Sequence, residues 1–83
     1  MIGAEQLDER LMICFQRVFP GLSRTEILSG SEESIGAWDS IAHMTLVSLL
    51  IEEFGIDLDF EDCEEATSFV RFRDLVSARL ANA

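Results

Sequence analysis

Three stretches of the chain repeat apolar residues at three- and four-residue spacing, and these predict the long helices. In residues 4–19, Leu7, Leu11, Cys14/Phe15 and Val18 form one stripe, while Glu5, Asp8, Glu9, Arg10, Gln16 and Arg17 cover the other faces. Pro20-Gly21 ends that helix. In Ile41–Phe54, positions 41, 44, 47 and 51 interleave with 46, 50 and 54. The combined stripe is wider than a surface helix needs, so burial on more than one side is expected. Asp39 is a good N-cap for this helix. Gly55 is the expected residue just past its end, where positive φ costs no Cβ strain. A last helix over 68–81, capped by Thr67 or Ser68, turns Phe69, Phe72, Leu75, Val76 and Leu80 inward and Arg71, Arg73, Asp74 and Arg79 outward.

The connections are uneven. Residues 20–38 are long for a loop in a compact domain, and such loops are functional or pack on the core. Ile27-Leu28 and Ile35 are expected to pin it, with a helical turn near 24–28 capped by Ser23 and closed by Glu26 three residues on. Ile56-Asp-Leu-Asp-Phe60 alternates like a strand. No second run can pair with it, and a lone strand leaves its backbone groups unsatisfied. An extended segment tucking in Ile56, Leu58 and Phe60 is therefore expected, followed by a short helical turn over 61–66. The predicted fold is all-α: a single domain spanning 1–83, a small antiparallel bundle of three longer helices plus one short helix, with a long loop between the first and second helices.

Composition narrows the function classes. Eighty-three residues bury roughly 60–65% of their unfolded surface, enough for one modest core. No apolar run approaches the ~20 residues of a membrane span, and the N-terminus lacks the basic-then-apolar pattern of a secretory signal. A cytoplasmic chain is expected. The net charge is −10 with no lysine, which argues against nucleic acid or anionic membrane as a partner. It suits partners with Arg/Lys patches, and equally well does no more than keep a small protein dissolved. Cys14 falls in the first apolar stripe and reads as a small core residue. Cys63 falls in an acidic turn. Two cysteines so placed make neither a disulfide framework nor a metal site.

Asp57-x-Asp59-x-Glu61 begins like a calcium loop, but Asp62 stands where glycine is needed and Ser68 where the bidentate glutamate is needed. The acidic run 52–65 reads first as a solvated face and second as a docking surface. Ser40 and His43 are three apart on one helix face, with Asp39 beside them. A hydrolase triad also needs a group orienting the imidazole from its far side and a shielded oxyanion hole. One exposed helix start cannot supply these, so His43 is read as solvated or partner-facing. Trp38 is read as packing on the core or loop, with partner contact as the alternative.

The segment Gly36-Ala-Trp-Asp-Ser-Ile-Ala-His-Met-Thr-Leu-Val-Ser-Leu-Leu-Ile-Glu-Glu-Phe-Gly-Ile56 resembles the acyl carrier protein family. That family carries Asp-Ser-Leu at the start of its second helix and ends the helix acidic-acidic-Phe. The similarity extends more weakly from Glu5 to Leu80. Its specificity lies in the joint match of serine, helix length, Glu-Glu-Phe-Gly-Ile ending, chain length and acidity.

The resemblance implies that Ser40, behind motif residue Asp39, receives 4′-phosphopantetheine from coenzyme A through a phosphopantetheinyl transferase with Mg²⁺. The chain is then a carrier and not an enzyme, and is expected to be a monomer. An acyl- or aminoacyl-loading ligase or synthase and downstream transferases with basic docking surfaces would be its partners. They would read Trp38, Asp39, Ile41, His43 and Met44, with Glu52 and Glu53. Ile41 replaces the commoner Leu. Ala42, Thr45 and Ser48 are neutral where fatty-acid carriers tend to be acidic, which points to a specialised pathway. Phe54, Phe60, Phe69 and Phe72 are expected to fill the space where some carriers shelter a long chain, favouring small or polar cargo. The alternative from another class is an unmodified acidic helical module for protein–protein contact.

Overall fold

The first apolar stripe builds the hub. Leu7, Leu11, Met12, Cys14 and Phe15 form the buried side of helix α1, Ala4–Val18. In the computed structural model, which describes residues 3–81, α1 packs against three partners: α2 (Arg24–Leu28), α3 (Ser40–Phe54) and α5 (Phe69–Ala81). The four-residue α4 (Phe60–Cys63) rests on α3. The fold is all-α. No strand forms among the described residues, and an isolated bridge joins Ser31 to Ser68. The radius of gyration is 11.7 Å, close to the ~12 Å expected of a compact chain of this length.

The caps follow local chemistry. Ser23 accepts from Glu26 N–H at 3.2 Å, and Glu26 accepts back from Ser23 N–H at 3.1 Å, a reciprocal capping box. Donation from Ser23, by its backbone N–H first and its hydroxyl second, holds the Glu26 carboxyl below its usual range. Gly55 ends α3 with φ +63° and donates to Ile51 O at 2.9 Å. Ser68 Oγ accepts from Arg71 N–H at 3.2 Å and starts α5.

The long loop is stitched to the opposite end of the chain. Glu32 N–H donates to Thr67 O at 2.8 Å, and Phe69 N–H to Gly30 O at 3.4 Å. Gly30 is buried because chain passes closely on two sides. A Cβ there would lie 2.5 Å from Ile35 Cδ1 and 2.7 Å from Glu26 O. Gly30→Ala is therefore expected to cost about 1–3 kcal/mol, the range for overpacking a filled site. Urea unfolding checks this.

Two expectations are corrected by packing. Leu28 pins nothing and is 45% exposed, while Ile27 and Ile35 are buried. Phe60 is 54% exposed rather than tucked in with Ile56 and Leu58. Asp59 precedes the start of α4, so the two-residue alternation ends before Phe60. Cys63 is fully buried although its sequence neighbours are acidic. On α3, the flanking Ala42, Leu49, Ile51 and Phe54 pack against the core beside the buried face, so the helix is covered on more than one side as expected, with its first turns open. Leu46, Val47 and Leu50 are fully buried, but Ile41 and Met44 are 75% and 53% exposed. Four residues of α4 are too short to roof the first turns of α3.

Candidate functional site

Ser40 is the first residue of α3, and the turn that presents it is built by Asp39. The Asp39 carboxylate accepts from Ala42 N–H at 2.8 Å, and its carbonyl accepts from His43 N–H at 2.9 Å. The N–H groups of Ser40 and Ile41 have no intrahelical acceptor, as at any helix start. Ser40 is exposed, and no hydrogen-bond partner for its hydroxyl occurs among the described residues. The loop serines differ. Ser23 and Ser29 hydroxyls bond to the backbone, and those of Ser31 and Ser34 bond to each other and to each other's backbone. Asp39→Ala is expected to cost about 1 kcal/mol, the usual value of a lost side-chain cap, measurable as a lower urea midpoint.

Behind Ser40 the first turn of α3 is locked inward. Trp38 is 3% exposed, and its ring stacks on Phe72 at 6.0 Å and meets Phe15 edge-on at 5.6 Å. Its indole N–H donates to His43 Nδ1 at 3.1 Å. The other imidazole nitrogen lies 2.8 Å from Cys63 O. An indole N–H only donates and a carbonyl only accepts, so His43 carries its proton on Nε2. Trp38 takes the first of its two readings, so its place among the partner-facing residues is corrected, and so is the reading of His43. Trp38 is a packing residue out of a partner's reach. His43 is not solvated; it is half-buried with both nitrogens engaged. Neither nitrogen is free to take a proton from Ser40, so the triad arrangement is not built.

The remaining candidates divide. Ile41 and Met44 stand open beside Ser40. Glu52 and Glu53 lie ~18 Å further along the helix axis at 1.5 Å per residue, so the structure does not bring them to Ser40. Glu53 is also occupied. Arg10 donates to its carboxylate at 3.0 Å and to its backbone carbonyl, while stacking over Phe54 at 4.8 Å.

A cleft of about 300 Å³ opens directly beside Ser40, lined by Glu32, Ser40, His43, Met44, Phe60 and Glu64. Glu32, Phe60 and Glu64 were missed as site residues. The expected tuck of Phe60 hid one of them, and the other two are glutamates in acidic stretches with no local signal.

Four of the six arginines form ion pairs with described carboxylates: Arg10 with Glu53, Arg24 with Glu9, Arg73 with Asp8 and Arg79 with Asp62. The Arg24 guanidinium holds the Glu9 carboxyl below its usual range. Asp39, Glu32 and Glu64 have no ion-pair partner among the described residues, so the Ser40 end is negative. Both cysteines are buried and unpaired. Burial pushes their thiols up, helped by Glu53 near Cys14 and Asp62 near Cys63. Among the described residues no three His, Cys, Asp or Glu side chains converge as metal ligands do, and no helix is long and apolar enough to cross a membrane. Comparison with protein-family models, with curated proteins and with solved structures found no match.

Proposed function

We propose that the chain is a carrier protein with an acyl-carrier-protein-like bundle, and that Ser40 is the attachment point of a 4′-phosphopantetheine arm. The observation that carries this reading is the exposed Ser40 at the head of α3, with no internal bond to its hydroxyl among the described residues. The resemblance of Gly36–Ile56 to acyl carrier proteins supplies the chemistry. A phosphopantetheinyl transferase with Mg²⁺ would supply the base and the metal. The Ser40 oxygen forms the new bond to phosphorus, the pyrophosphate bond of coenzyme A breaks, adenosine 3′,5′-bisphosphate leaves, and the serine proton goes to the transferase. When attached, the arm supplies a thiol that holds cargo as a thioester.

The residues present fit the group. The open N–H groups of Ser40 and Ile41 favour a phosphate ester at a helix start. The Asp39 charge works partly against it, so the phosphate gains only modestly. Ile41 and Met44 give partner enzymes an apolar contact in a negative surround, matched to basic docking surfaces. The neutral Ala42, Thr45 and Ser48 favour a specialised acyl or aminoacyl pathway over the housekeeping fatty-acid one. Phe69 and Phe72 are fully buried, whereas Phe54 is half-buried and Phe60 exposed. Two of the four phenylalanines therefore occupy the interior, and small or polar cargo remains the favoured class.

The test is intact mass. The protein is incubated with coenzyme A, Mg²⁺ and a promiscuous transferase. A gain of one phosphopantetheine, absent in Ser40→Ala, supports the carrier reading. No gain leaves the acidic interaction module, which would use the same Ile41 and Met44 surface unmodified. Since Cys14 and Cys63 are buried, a thiol reagent should label the native protein quickly only after modification.

A further inference from the structure

We propose that His43 is a proton-operated latch on the turn that presents Ser40. When the imidazole takes up a proton from solvent, its ring gives up the Trp38 indole and turns the new N–H toward Glu32 and Glu64. Trp38 immediately precedes the Asp39 cap, so proton uptake frees the segment that holds Ser40. The latch is a property of the unmodified chain and does not depend on the attachment proposed above.

Donors and acceptors set the latch. Neutral His43 accepts from the Trp38 indole N–H at Nδ1, 3.1 Å away, and donates from Nε2 to Cys63 O at 2.8 Å. A protonated imidazole has two donors and no acceptor, and an indole N–H can only donate. A proton on Nδ1 therefore sets two N–H groups against each other. Trp38 cannot step aside cheaply, because it is buried against Phe15, Phe19 and Phe72. The Nε2–H bond to Cys63 O survives the change, so the ring pivots about that bond.

The surroundings offer the charged ring a second place. Half-buried His43 shares its cleft with exposed Glu32 and Glu64, and neither has an ion-pair partner among the described residues. Asp39 caps the same helix. On α4, burial pushes the Cys63 thiol up and keeps it neutral, and Asp62 is turned to Arg79. On α5, uncharged Phe72 lies 5.4 Å from the ring, while Arg71 and Arg73 are turned to Glu65 O and to Asp8. The charges facing His43 among the described residues are therefore acidic. One hydrogen bond resists the proton and the carboxylates draw it in, so the two states have different partners, as a protonation switch requires.

The chain has one tryptophan and one histidine, so each signal belongs to one residue. NMR of the ¹⁵N-labelled protein follows the Trp38 indole N–H and both His43 ring nitrogens from about pH 8 to 5, the window in which histidine ordinarily changes charge. At the upper end the ring nitrogens should show the proton on Nε2. As His43 takes its second proton, the indole proton should move upfield toward its position in a free indole, with the same midpoint. Glu32→Gln/Glu64→Gln, at exposed positions, should move that midpoint to lower pH, because the imidazolium loses its second place. An indole signal that stays put while His43 titrates overturns the proposal, and so does a His43 that stays neutral across the range. A midpoint unmoved by the double replacement overturns the turn toward the carboxylates. The carrier reading is judged apart from these spectra, by the gain of phosphopantetheine mass.

Discussion

Phe15→Ala should come close to unfolding the protein. Phe15 is fully buried on α1, the helix that α2, α3 and α5 share. Its ring lies 5.1 Å from Phe69, 5.6 Å from Trp38, 5.9 Å from Phe72 and 6.3 Å from Phe19. Removing a buried phenylalanine costs about 3–5 kcal/mol through lost transfer energy and the cavity left behind. A chain of this length has a total stability of roughly 4–12 kcal/mol. The truncation therefore removes a quarter of it or more, and the melting temperature should fall by roughly 15–30 °C. Thermal melts followed by circular dichroism measure this. A fall of only a few degrees would mean that the aromatic cluster is not the centre of the core.

His43→Leu should have the second largest effect, for a different reason. Leucine is close in size, so the cavity cost is small. The change leaves the buried Trp38 indole N–H without a partner, while the Cys63 carbonyl loses one partner and keeps the Ala66 N–H at 3.0 Å. One orphaned buried donor costs about 1–3 kcal/mol, and a loss in that range is expected. Trp38→Phe removes the donor itself. In the His43→Leu background it should therefore cost less than in the wild type, and a double-mutant cycle isolates that coupling. Additive effects would contradict the hydrogen bond. His43→Leu should also create no change in ester hydrolysis, because the imidazole serves the fold.

Local chemistry was legible in the sequence, and long-range packing was not. Asp39, Ser23 with Glu26, and Gly55 were each assigned their caps, because a cap is decided within four residues. The three long helices followed from their spacing. The errors came where distant chain decides. His43 turns inward because Cys63, twenty residues on, offers a carbonyl that no local pattern announces. Leu28 and Phe60 look alike to a hydropathy reading, as do Ile27 and Leu58, yet two are open and two are covered. The exposed Ser40 was readable from the Asp39 cap. The cleft beside it was not, since it needs Glu32, Met44 and Glu64 brought together from three separate segments.

The most direct test of the carrier account is where the group lands, because several exposed hydroxyls share this end of the molecule. Protein treated with transferase and coenzyme A is digested, and its peptides are sequenced by tandem mass spectrometry. The account predicts a single phosphopantetheine on Ser40, with Ser31, Ser34 and Thr45 bare. A group found on another serine, or a Ser40 peptide that stays unmodified while a known carrier in the same tube is converted, would contradict it.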